Sequence, residues 1–400
     1  MNGSQLSKWT LCLVAVALSL GACGKKEESA TATMTGELTV RIGQVSPLTG
    51  PQAHLGKDND NGARLAIDEI NASGVTLGGK KVKFVLVSED DQADPKFATI
   101  VADKLIDRKV AGVIGHLNSG TSIPASKRYH EAGIPQISPS ATAIAYTSQG
   151  FKTAFRVMTN DRQQGKVLGE YAVKKLGAKR IAIIDDRTAY GQGLADEVDK
   201  AVKASGGEVI AREFTTDRST DFLAILTSIK AKKPDLVFYG GMDAQGAPMV
   251  KQLHSLGIKA KFLGGDGVQT AEFLKLAATQ AESVTASSPG LPIESMPGGK
   301  EFKQKFTDRF GAIQTYAPYA YDAVMTMVDA MKKADSAVPA QYLTELPRVQ
   351  RTGVTGNISF DEKGDVRGGA ITLYQVKAGK WEVLETVMGD AGAVPAEPKK

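Results

Sequence analysis

Continuous apolar segments of strand character alternate with amphipathic helical segments from Leu38 onward, and this alternation restricts the possible folds more than any other feature. In Val110–Gly115 and Ile181–Asp185 nearly every side chain is apolar or glycine, which is typical of strands whose two faces are both covered. Helices that follow such strands cover both faces of a parallel sheet. The pattern therefore predicts an α/β protein built from parallel β-sheets flanked by helices.

The predicted elements follow one another in a regular order. The predicted strands are Leu38–Val45, Val82–Val87, Val110–Gly115, Pro135–Ile137, Ile181–Asp185, Glu208–Glu213, Leu236–Tyr239, Lys261–Leu263, Ile358–Phe360, Ile371–Val376 and Trp381–Val387. The predicted helices are Gly62–Asn71, Pro95–Asp107, Ser122–Ala132, Gln163–Leu176, Gly191–Ala204, Asp221–Lys230, Ala247–Leu256, Lys300–Phe310 and Tyr319–Lys332. In sheets of this kind, ligands bind beyond the carboxyl ends of the strands.

The order of strand and helix begins again near residue 160, which indicates two lobes of similar fold. A chain of 400 residues is also longer than one hydrophobic core usually serves. We expect the following division: residues 38–157 and 288–360 in lobe 1, residues 158–287 and 361–388 in lobe 2, and residues 389–400 as a C-terminal tail. The chain then crosses between the lobes near Arg156–Asn160, Ser287–Leu291 and Phe360–Gly364. Such a three-segment hinge permits closure around a ligand while limiting twist.

The N-terminal residues have the features of a processed signal. Leu11–Leu20 is an apolar run too short to span a bilayer but typical of a signal-peptide core. The small residues that precede Cys23 resemble a bacterial lipobox, although cleavage of an ordinary signal peptide nearby is the alternative. We expect residues 1–22 to be a lipoprotein signal peptide, Cys23 to carry lipid, and residues 23–37 to include a flexible tether. Cys12 leaves with the signal, so no thiol then remains for a disulfide or a metal site.

Charge and histidine patterns give little support to nucleic-acid binding, metal binding or catalysis. The formal net charge of +5 is small for this length, and the basic residues are scattered. The four histidines are dispersed without metal-ligand spacing: His54, His116, His130 and His254. The glycine patterns 191–193 and 265–267 do not complete a dinucleotide fingerprint, so an enzyme is the less favoured alternative. We expect no cofactor, no bound metal and no catalytic residue.

Two turns rich in hydroxyl side chains follow strands of the first half. The stretch Val113–Pro124 runs from a buried strand into a loop of Ser and Thr, and a helix is expected to begin near Pro124. The stretch Ile137–Ala143 repeats the pattern. Free backbone N–H groups and hydroxyl donors at a helix start attract an anion. Side by side, the two turns could hold one small carboxylate, although Ser119 and Thr142 could instead cap a helix or turn.

Six segments of the chain carry motifs of a known family. They are Asp90–Pro95, Val113–Ser126, Ser138–Ala143, Ile181–Ala195, Tyr239–Gly241 and Asp361–Asp365. Together they resemble the bacterial leucine/isoleucine/valine-binding proteins, which are type I periplasmic binding proteins. The resemblance extends with matching order and spacing from about Leu38 to Val387. It implies two Rossmann-like lobes joined by a three-segment hinge, with one amino acid bound in the cleft between them.

The resemblance implies roles for the two hydroxyl turns. Ser119 and Thr142 would donate hydroxyl hydrogen bonds to the ligand carboxylate, helped by nearby backbone N–H groups. The Ser140 carbonyl would accept a hydrogen bond from the ligand ammonium group, and Ala141 would line the site. Charge-assisted hydrogen bonds of this kind contribute roughly 1.5–3 kcal/mol each.

The resemblance also implies roles for five residues outside the two turns, and the chain departs from the family pattern at four of them. Asp266 stands where the family has a glutamate that pairs with the ammonium, so the acceptor is kept with a shorter reach. Tyr190 would close over the ligand. Leu55 and Met242 replace tyrosines that would contact the ligand side chain, and Tyr316 replaces a phenylalanine, so its hydroxyl could meet a polar group of the ligand. Taken singly, these five residues could also be turn or core residues.

The implied function is that of an extracytoplasmic substrate-binding protein of an ABC importer. Its partners would be the transmembrane permease subunits with their associated ATPases. The expected ligand is a branched-chain or similar aliphatic amino acid, and phenylalanine, γ-aminobutyrate or an amide remain alternatives because of the departures in the pocket. The protein would be a monomer attached to the membrane through lipidated Cys23 alone. A ligand sensor of the same fold is the other functional alternative.

Overall fold

The computed structural model describes residues 36–389, which contain two large β-sheets covered by helices. The strands are β1 (Leu38–Ser46), β2 (Thr76–Leu77), β3 (Lys80–Asp90), β4 (Gly112–Gly115), β5 (Gln136–Ser138), β6 (Ala154–Arg156), β7 (Arg180–Asp185), β8 (Glu208–Phe214), β9 (Leu236–Gly240), β10 (Lys261–Gly264), β11 (Thr285–Pro289), β12 (Arg351–Thr352), β13 (Asn357–Ile358), β14 (Ala370–Lys377) and β15 (Lys380–Met388). The helices are α1 (Ala53–Ser73), α2 (Pro95–Asp107), α3 (Ser119–Glu131), α4 (Asp161–Glu170), α5 (Ala189–Ala204), α6 (Leu223–Ala231), α7 (Asp243–Ser255), α8 (Ala271–Ala277), α9 (Gly299–Phe310), α10 (Ala317–Lys333) and α11 (Pro339–Tyr342). The predictions for the signal peptide, for lipidated Cys23 and for residues 390–400 lie outside the described residues.

The first sheet has the strand order β2-β3-β1-β4-β5-β6. All its pairings are parallel except the short β2–β3 hairpin. Ile42 and Val45 of the central strand β1 are fully buried on opposite faces, because α1 and α10 cover one face and α2 and α3 cover the other. We call this sheet with its covering helices lobe 1.

The second sheet has the strand order β15-β14-β11-β10-β9-β7-β8. Its strands β11, β10, β9, β7 and β8 are parallel, whereas β14 and β15 form an antiparallel edge. The apolar side chains of α4 and α5 pack on one face, and those of α6, α7 and α8 pack on the other. We call this sheet with its helices lobe 2. The predicted α/β class with two parallel sheets flanked by helices is therefore confirmed.

Three helices begin at least three residues earlier than the sequence predicts. Helix α1 begins at Ala53 rather than Gly62, α3 at Ser119 rather than near Pro124, and α7 at Asp243 rather than Ala247. In α3 the Asn118 carbonyl already accepts hydrogen bonds from the N–H groups of Thr121 and Ser122. A proline in the second turn removes only the bond to the carbonyl four residues earlier, so it does not have to be the first helical residue.

Strand β11 is a structural element that the sequence pattern did not predict. Thr285, Ser287 and Ser288 make it polar, yet all its residues are buried between β10 and β14. The strand continues lobe 2 through Pro289, beyond the predicted boundary at residue 287. Gly290 follows with φ of +97°, where an added Cβ would lie 1.6 Å from the Tyr319 hydroxyl, so glycine is required where the chain leaves the sheet.

Arg156, the last residue of β6, connects the turn that contains Ala141 and Ala143 to the third crossing of the chain between the lobes. Its side chain is fully buried and donates hydrogen bonds to Asp365 (2.5 Å), to the Ala141 carbonyl (2.7 Å) and to the Ala143 carbonyl (2.9 Å). Its backbone N–H donates to the Gly364 carbonyl. Because a planar guanidinium has five donors in a fixed arrangement, Arg156 holds these groups in one geometry.

Candidate ligand-binding site

The predicted site residues follow the carboxyl ends of strands in both lobes and come together around Asp266. Asp266 comes after β10 and is 2% exposed. Its Oδ1 accepts hydrogen bonds from the Tyr190 hydroxyl (2.7 Å) and from Gln164 Nε2 (2.9 Å). Its Oδ2 accepts one from the Tyr316 hydroxyl (2.7 Å). Burial raises the pKa of Asp266 above its usual range, although these three donors act in the opposite direction.

Tyr316 reaches Asp266 from lobe 1 and so joins the two lobes. It lies directly before α10, where its backbone N–H donates to Asp58 of α1 (2.7 Å). Asp58 also accepts the N–H groups of Gln314, Thr315 and Ala317, so one carboxylate fixes the start of α10. The Tyr316 hydroxyl, which the sequence analysis directed toward the ligand, is therefore bonded to the acidic side chain opposite.

A second buried carboxylate, Asp161, lies beside Asp266 and was missed by the sequence analysis. It is the first residue of α4, and its Oδ1 accepts a hydrogen bond from Gln164 Nε2 (3.2 Å), the amide that also bonds Asp266. Gln164 is held in turn by the Ser287 hydroxyl (2.8 Å). Burial, followed by the charge of Asp266, raises the pKa of Asp161 to about 7. Within residues 36–389, no lysine, arginine or histidine forms an ion pair with either carboxylate.

The two hydroxyl turns are built around the carbonyl group of His116. That carbonyl accepts hydrogen bonds from Ser122 Oγ (3.0 Å) in the first turn and from Ser138 Oγ (2.9 Å) in the second. Ser138 Oγ also accepts from the Ala141 N–H (2.9 Å), and Ser119 Oγ accepts from the Ala143 N–H (3.1 Å). The two turns therefore lie side by side, as the sequence predicts, and part of their hydroxyl content stabilises the turns themselves.

Thr142 and Asp161 carry unpartnered polar atoms at the centre of the site. Thr142 Oγ1 and Asp161 Oδ2 are both buried, and neither makes a hydrogen bond to any described residue. The Thr142 hydroxyl lies near enough to Asp161 to lower the pKa of that carboxyl, but their geometry does not form a hydrogen bond. Buried polar groups rarely remain without a partner, so these two atoms are available to bond to a polar group that enters the site.

The predicted pocket residues are buried next to these groups. Leu55, Met242 and Tyr316 belong to one apolar cluster that also contains Tyr190. Gly267 has no room for a side chain, because an added Cβ would lie 2.8 Å from Met242 Sδ and 3.2 Å from the Tyr190 ring. Met242 and Tyr190 are therefore neighbours beside the Asp266 turn.

Ser140 and Ala141 lie in the second turn at the base of the site. The hydroxyl of Ser140 accepts a hydrogen bond from Asn59 Nδ2 of α1 (3.1 Å). Ala141 is fully buried. Hydrogen bonds and close neighbours connect eight of the nine predicted site residues: Ser119, Ser140, Ala141, Thr142, Tyr190, Met242, Asp266 and Tyr316. Leu55 is fully buried in the large apolar cluster that spans both lobes.

His54 and Asp243 form a contact between the lobes that the sequence analysis also missed. His54 Nε2 of α1 lies 2.9 Å from Asp243 Oδ2 of α7. Burial acts to lower the pKa of His54, but the hydrogen bond and the charge of Asp243 outweigh it, so the pKa is raised. No spacing in the sequence could have indicated this pair, since 189 positions separate its members.

A cleft between the lobes opens beside these residues. Its volume is about 410 Å³, and its walls include Gln52, Asn118 and Gly120 of lobe 1 and Tyr190 and Met242 of lobe 2. A larger hollow of about 730 Å³ lies near Phe151 and Lys363, but none of the predicted site residues line it. We therefore take the buried polar groups, rather than the size of a hollow, as the basis for the candidate site.

Residues 36–389 contain neither a metal-binding cluster nor a helix that could span a membrane. No cluster of three or more His, Cys, Asp or Glu side chains in residues 36–389 is arranged to hold a metal ion. Over the same span, no helix combines the length and apolar character needed to cross a membrane.

Comparisons with known proteins agree with this geometry. Residues 39–380 match the family described as Periplasmic binding protein. The chain is 36% identical to the Leu/Ile/Val-binding protein homolog 1 of Brucella suis, over 86% of this chain and 90% of the relative. It is 33% identical to the leucine-, isoleucine-, valine-, threonine- and alanine-binding protein of Pseudomonas aeruginosa, over 84% of this chain and 90% of the relative.

A solved structure extends the comparison to three dimensions. The branched-chain amino acid transporter substrate binding protein of Streptococcus pneumoniae, determined in complex with isoleucine, matches with a TM-score of 0.78 and 30% identity. The match covers 88% of this chain and 100% of that structure. The predicted type I fold and the predicted family are confirmed, and so is a working location outside the cytoplasm, since that is where this family acts. The chain belongs to the periplasmic binding protein family, among the relatives of the leucine/isoleucine/valine-binding proteins.

Proposed function

We propose that this protein binds a branched-chain or similar aliphatic amino acid between its two lobes and delivers it to the permease of an ABC importer. The single observation that carries the ligand class is the buried pair Asp161 and Asp266, which has no cationic partner among the described residues. The names of the relatives support the same class, since the solved Streptococcus protein holds isoleucine.

The acidic pair calls for a positively charged ligand group. Buried carboxylates are unfavourable unless they are paired, and an ammonium group supplies both the charge and the hydrogen-bond donors. Asp266 has three of its acceptor positions occupied by protein donors, and Asp161 Oδ2 has no protein donor, so both can still accept from a ligand. The ammonium of an α-amino acid fits between them, where the Ser140 carbonyl is a further acceptor.

The rest of the ligand follows from this placement. Its carboxylate would accept hydrogen bonds from Ser119 and from the backbone of the neighbouring turn. Thr142 lies beside Asp161, so its hydroxyl could donate to the ligand carboxylate or accept from the ligand ammonium. The side chain of the ligand would contact Leu55 and Met242, which are apolar and buried.

Delivery requires that the lobes open and close about the three crossings. We place lobe 1 at residues 38–157 with 290–360 and lobe 2 at residues 158–289 with 361–388, because β11 belongs to the second sheet through Pro289. The contact of Tyr316 with Asp266 belongs to the closed form, since it joins the lobes. The closed protein would act as a monomer, attached to the membrane through lipidated Cys23 and the tether 23–37, and would present its surface to the transmembrane subunits.

Calorimetric titration of residues 24–400, refolded after denaturation to remove carried ligand, tests the proposal. Leucine, isoleucine, valine, phenylalanine and γ-aminobutyrate would be titrated in turn. Binding of the three aliphatic amino acids at micromolar concentration or tighter is expected. A matched control is 4-methylpentanoate, which is leucine without its ammonium group and should not bind. Binding of phenylalanine or γ-aminobutyrate alone would mean that Leu55, Met242 and Tyr316 have changed the specificity, and absence of all binding would refute the function.

A further inference from the structure

The contact between His54 and Asp243 lies at the rim of the proposed pocket. His54 is the second residue of α1 in lobe 1, and Asp243 is the first residue of α7 in lobe 2. The Asp243 side chain is fully buried, whereas that of His54 is 20% exposed. Asp243 Oδ2 also accepts a hydrogen bond from Thr270 (2.6 Å), and Oδ1 is buried without a partner among residues 36–389. Asp243 is thus fixed within lobe 2, and His54 approaches it from the other lobe.

Both members of the contact adjoin pocket residues in sequence. His54 precedes Leu55, and Asp243 follows Met242. Leu55 and Met242 are buried in the same apolar cluster although they belong to different lobes. A fixed distance between His54 and Asp243 therefore also fixes the separation of the two apolar walls.

We propose that His54 and Asp243 are positioning residues whose ion pair forms on closure, brings Leu55 and Met242 to their working separation and strengthens ligand binding. This inference rests on the proposed amino-acid-binding function. Neither side chain has to touch the ligand, because the pair acts through the neighbouring residues and through the balance between open and closed forms.

The charge on His54 makes this contribution depend on pH. The acidic groups that face the imidazole from lobe 2 are Asp243 and Glu272, and both raise its pKa against the effect of burial. On its own helix, Lys57 is exposed, and Asp58 points away to the start of α10. Opening the lobes separates the pair and returns the imidazole to a pKa of about 6.5.

The sign of the effect follows from this difference. The pKa of His54 is higher in the closed form than in the open form, so the pair contributes fully below the open-form value. Its contribution is lost as the pH rises through the closed-form value. The contribution of His54 to ligand affinity should therefore fall as the pH rises above the open-form pKa. Asp161 acts in the opposite direction, because an ammonium ligand favours its ionised form and its pKa is about 7.

The test compares leucine binding by the wild type and His54→Gln in calorimetric titrations from pH 5.5 to 8.5. Glutamine keeps a donor near Asp243 but does not titrate, so the difference between the two proteins isolates the charge. At the acid end we expect His54→Gln to bind about twofold to fivefold more weakly, which is the range for a partly exposed ion pair. The difference should shrink as the pH rises.

Two further variants make the result decisive. His254→Gln changes an exposed histidine in the last turn of α7 and should retain the wild-type profile. Asp243→Asn, checked for native circular dichroism, should show the same acid-side loss as His54→Gln. Equal affinities of wild type and His54→Gln at every pH would overturn the inference while leaving the binding function intact. A wild type that binds no amino acid would instead contradict the function on which the inference rests.

Discussion

Replacing Asp266 by asparagine should separate ligand binding from folding. Asparagine has the same shape as aspartate and keeps one oxygen that can accept from Tyr190 and Gln164. Its amide nitrogen would face the Tyr316 hydroxyl, which can accept a hydrogen bond as readily as it donates one. All three protein contacts can therefore persist, which Asp266→Ala would not allow. Only the ligand ammonium loses its partner, because it then meets a neutral amide.

The magnitude follows from the burial of the site. Asp266 is 2% exposed, so little solvent screens its charge. Removing one partner of a buried charge pair costs about 3–5 kcal/mol, and each 1.4 kcal/mol changes affinity tenfold. Leucine affinity should therefore fall by about two to three and a half orders of magnitude.

Without ligand, Asp266→Asn should be more stable than the wild type, although its affinity for leucine is lower. The folded-state pKa of Asp266 is raised, so ionised Asp266 lowers the free energy of unfolding, and this loss develops as the pH rises from the unfolded pKa through the folded one. Asparagine removes that loss at neutral pH.

Calorimetric titration with leucine and thermal unfolding with and without leucine measure both effects. We expect Asp266→Asn to unfold at a higher temperature than wild type without ligand, and to gain almost nothing from added leucine. Asp308→Asn, the same change on the exposed face of α9, is the control and should leave both quantities unaltered. Wild-type affinity in Asp266→Asn would show that the ammonium does not bind at Asp266, and reduced stability without ligand would refute the electrostatic reasoning.

Three other changes test separate parts of the structure. Asp161→Asn should flatten the rise in leucine affinity through pH 7 that the raised pKa of Asp161 causes, and should abolish proton release on binding, as measured by calorimetry in buffers of different ionisation enthalpy; an unchanged release would assign it to another group. Arg156→Met should lower the free energy of unfolding by about 3–5 kcal/mol in urea denaturation, because it leaves the half-buried Asp365 without its charged partner and the buried carbonyl groups of Ala141 and Ala143 without their donor; a loss below 1 kcal/mol would mean that Arg156 is not a structural anchor. Cys23→Ser in the full-length chain should move the protein from the membrane to the soluble fraction, and mass spectrometry of the wild-type N-terminus should find lipid on Cys23; continued membrane association of the variant would contradict the anchor.

Most of the fold could be predicted because the strands that form the centres of the sheets are strongly apolar. Segments such as Val113–Gly115 and Ile181–Ile184 are buried on both faces, and burial of that kind leaves a continuous apolar run in the sequence. Strand β11 could not be found in this way, because its buried Thr and Ser residues leave no apolar run in the sequence. One of them, Ser287, is buried through a hydrogen bond to Gln164. The early start of α3 was hidden by Pro124, which a helix tolerates in its second turn at the loss of one hydrogen bond.

The site residues that belong to sequence motifs could be predicted. Contacts between residues that are far apart in the sequence could not. Ser119, Thr142 and Asp266 follow strands, and a strand end points to a site even without coordinates. Asp161 begins a helix, where an aspartate is ordinarily explained by the helix dipole, so nothing in the sequence distinguished it. The neighbourhood of Asp161 and Asp266, and the pairing of His54 with Asp243, arise only when the lobes are folded together.

The hydrogen bonds of the Arg156 guanidinium bear on which lobe a ligand contacts first. Arg156 holds the carbonyl groups of Ala141 and Ala143 from within lobe 1, so the receiving turn keeps its shape whether lobe 2 is near or distant. We therefore expect a ligand to bind to lobe 1 first and to contact Asp266 only when the lobes close. The association rate would then depend on diffusion of the ligand into the open cleft, whereas the residence time would depend on the rate at which the lobes open. Substitutions at Asp266 would therefore raise the dissociation rate of the ligand and change its association rate little. The rate of ligand release to a transporter could then evolve independently of the rate of capture.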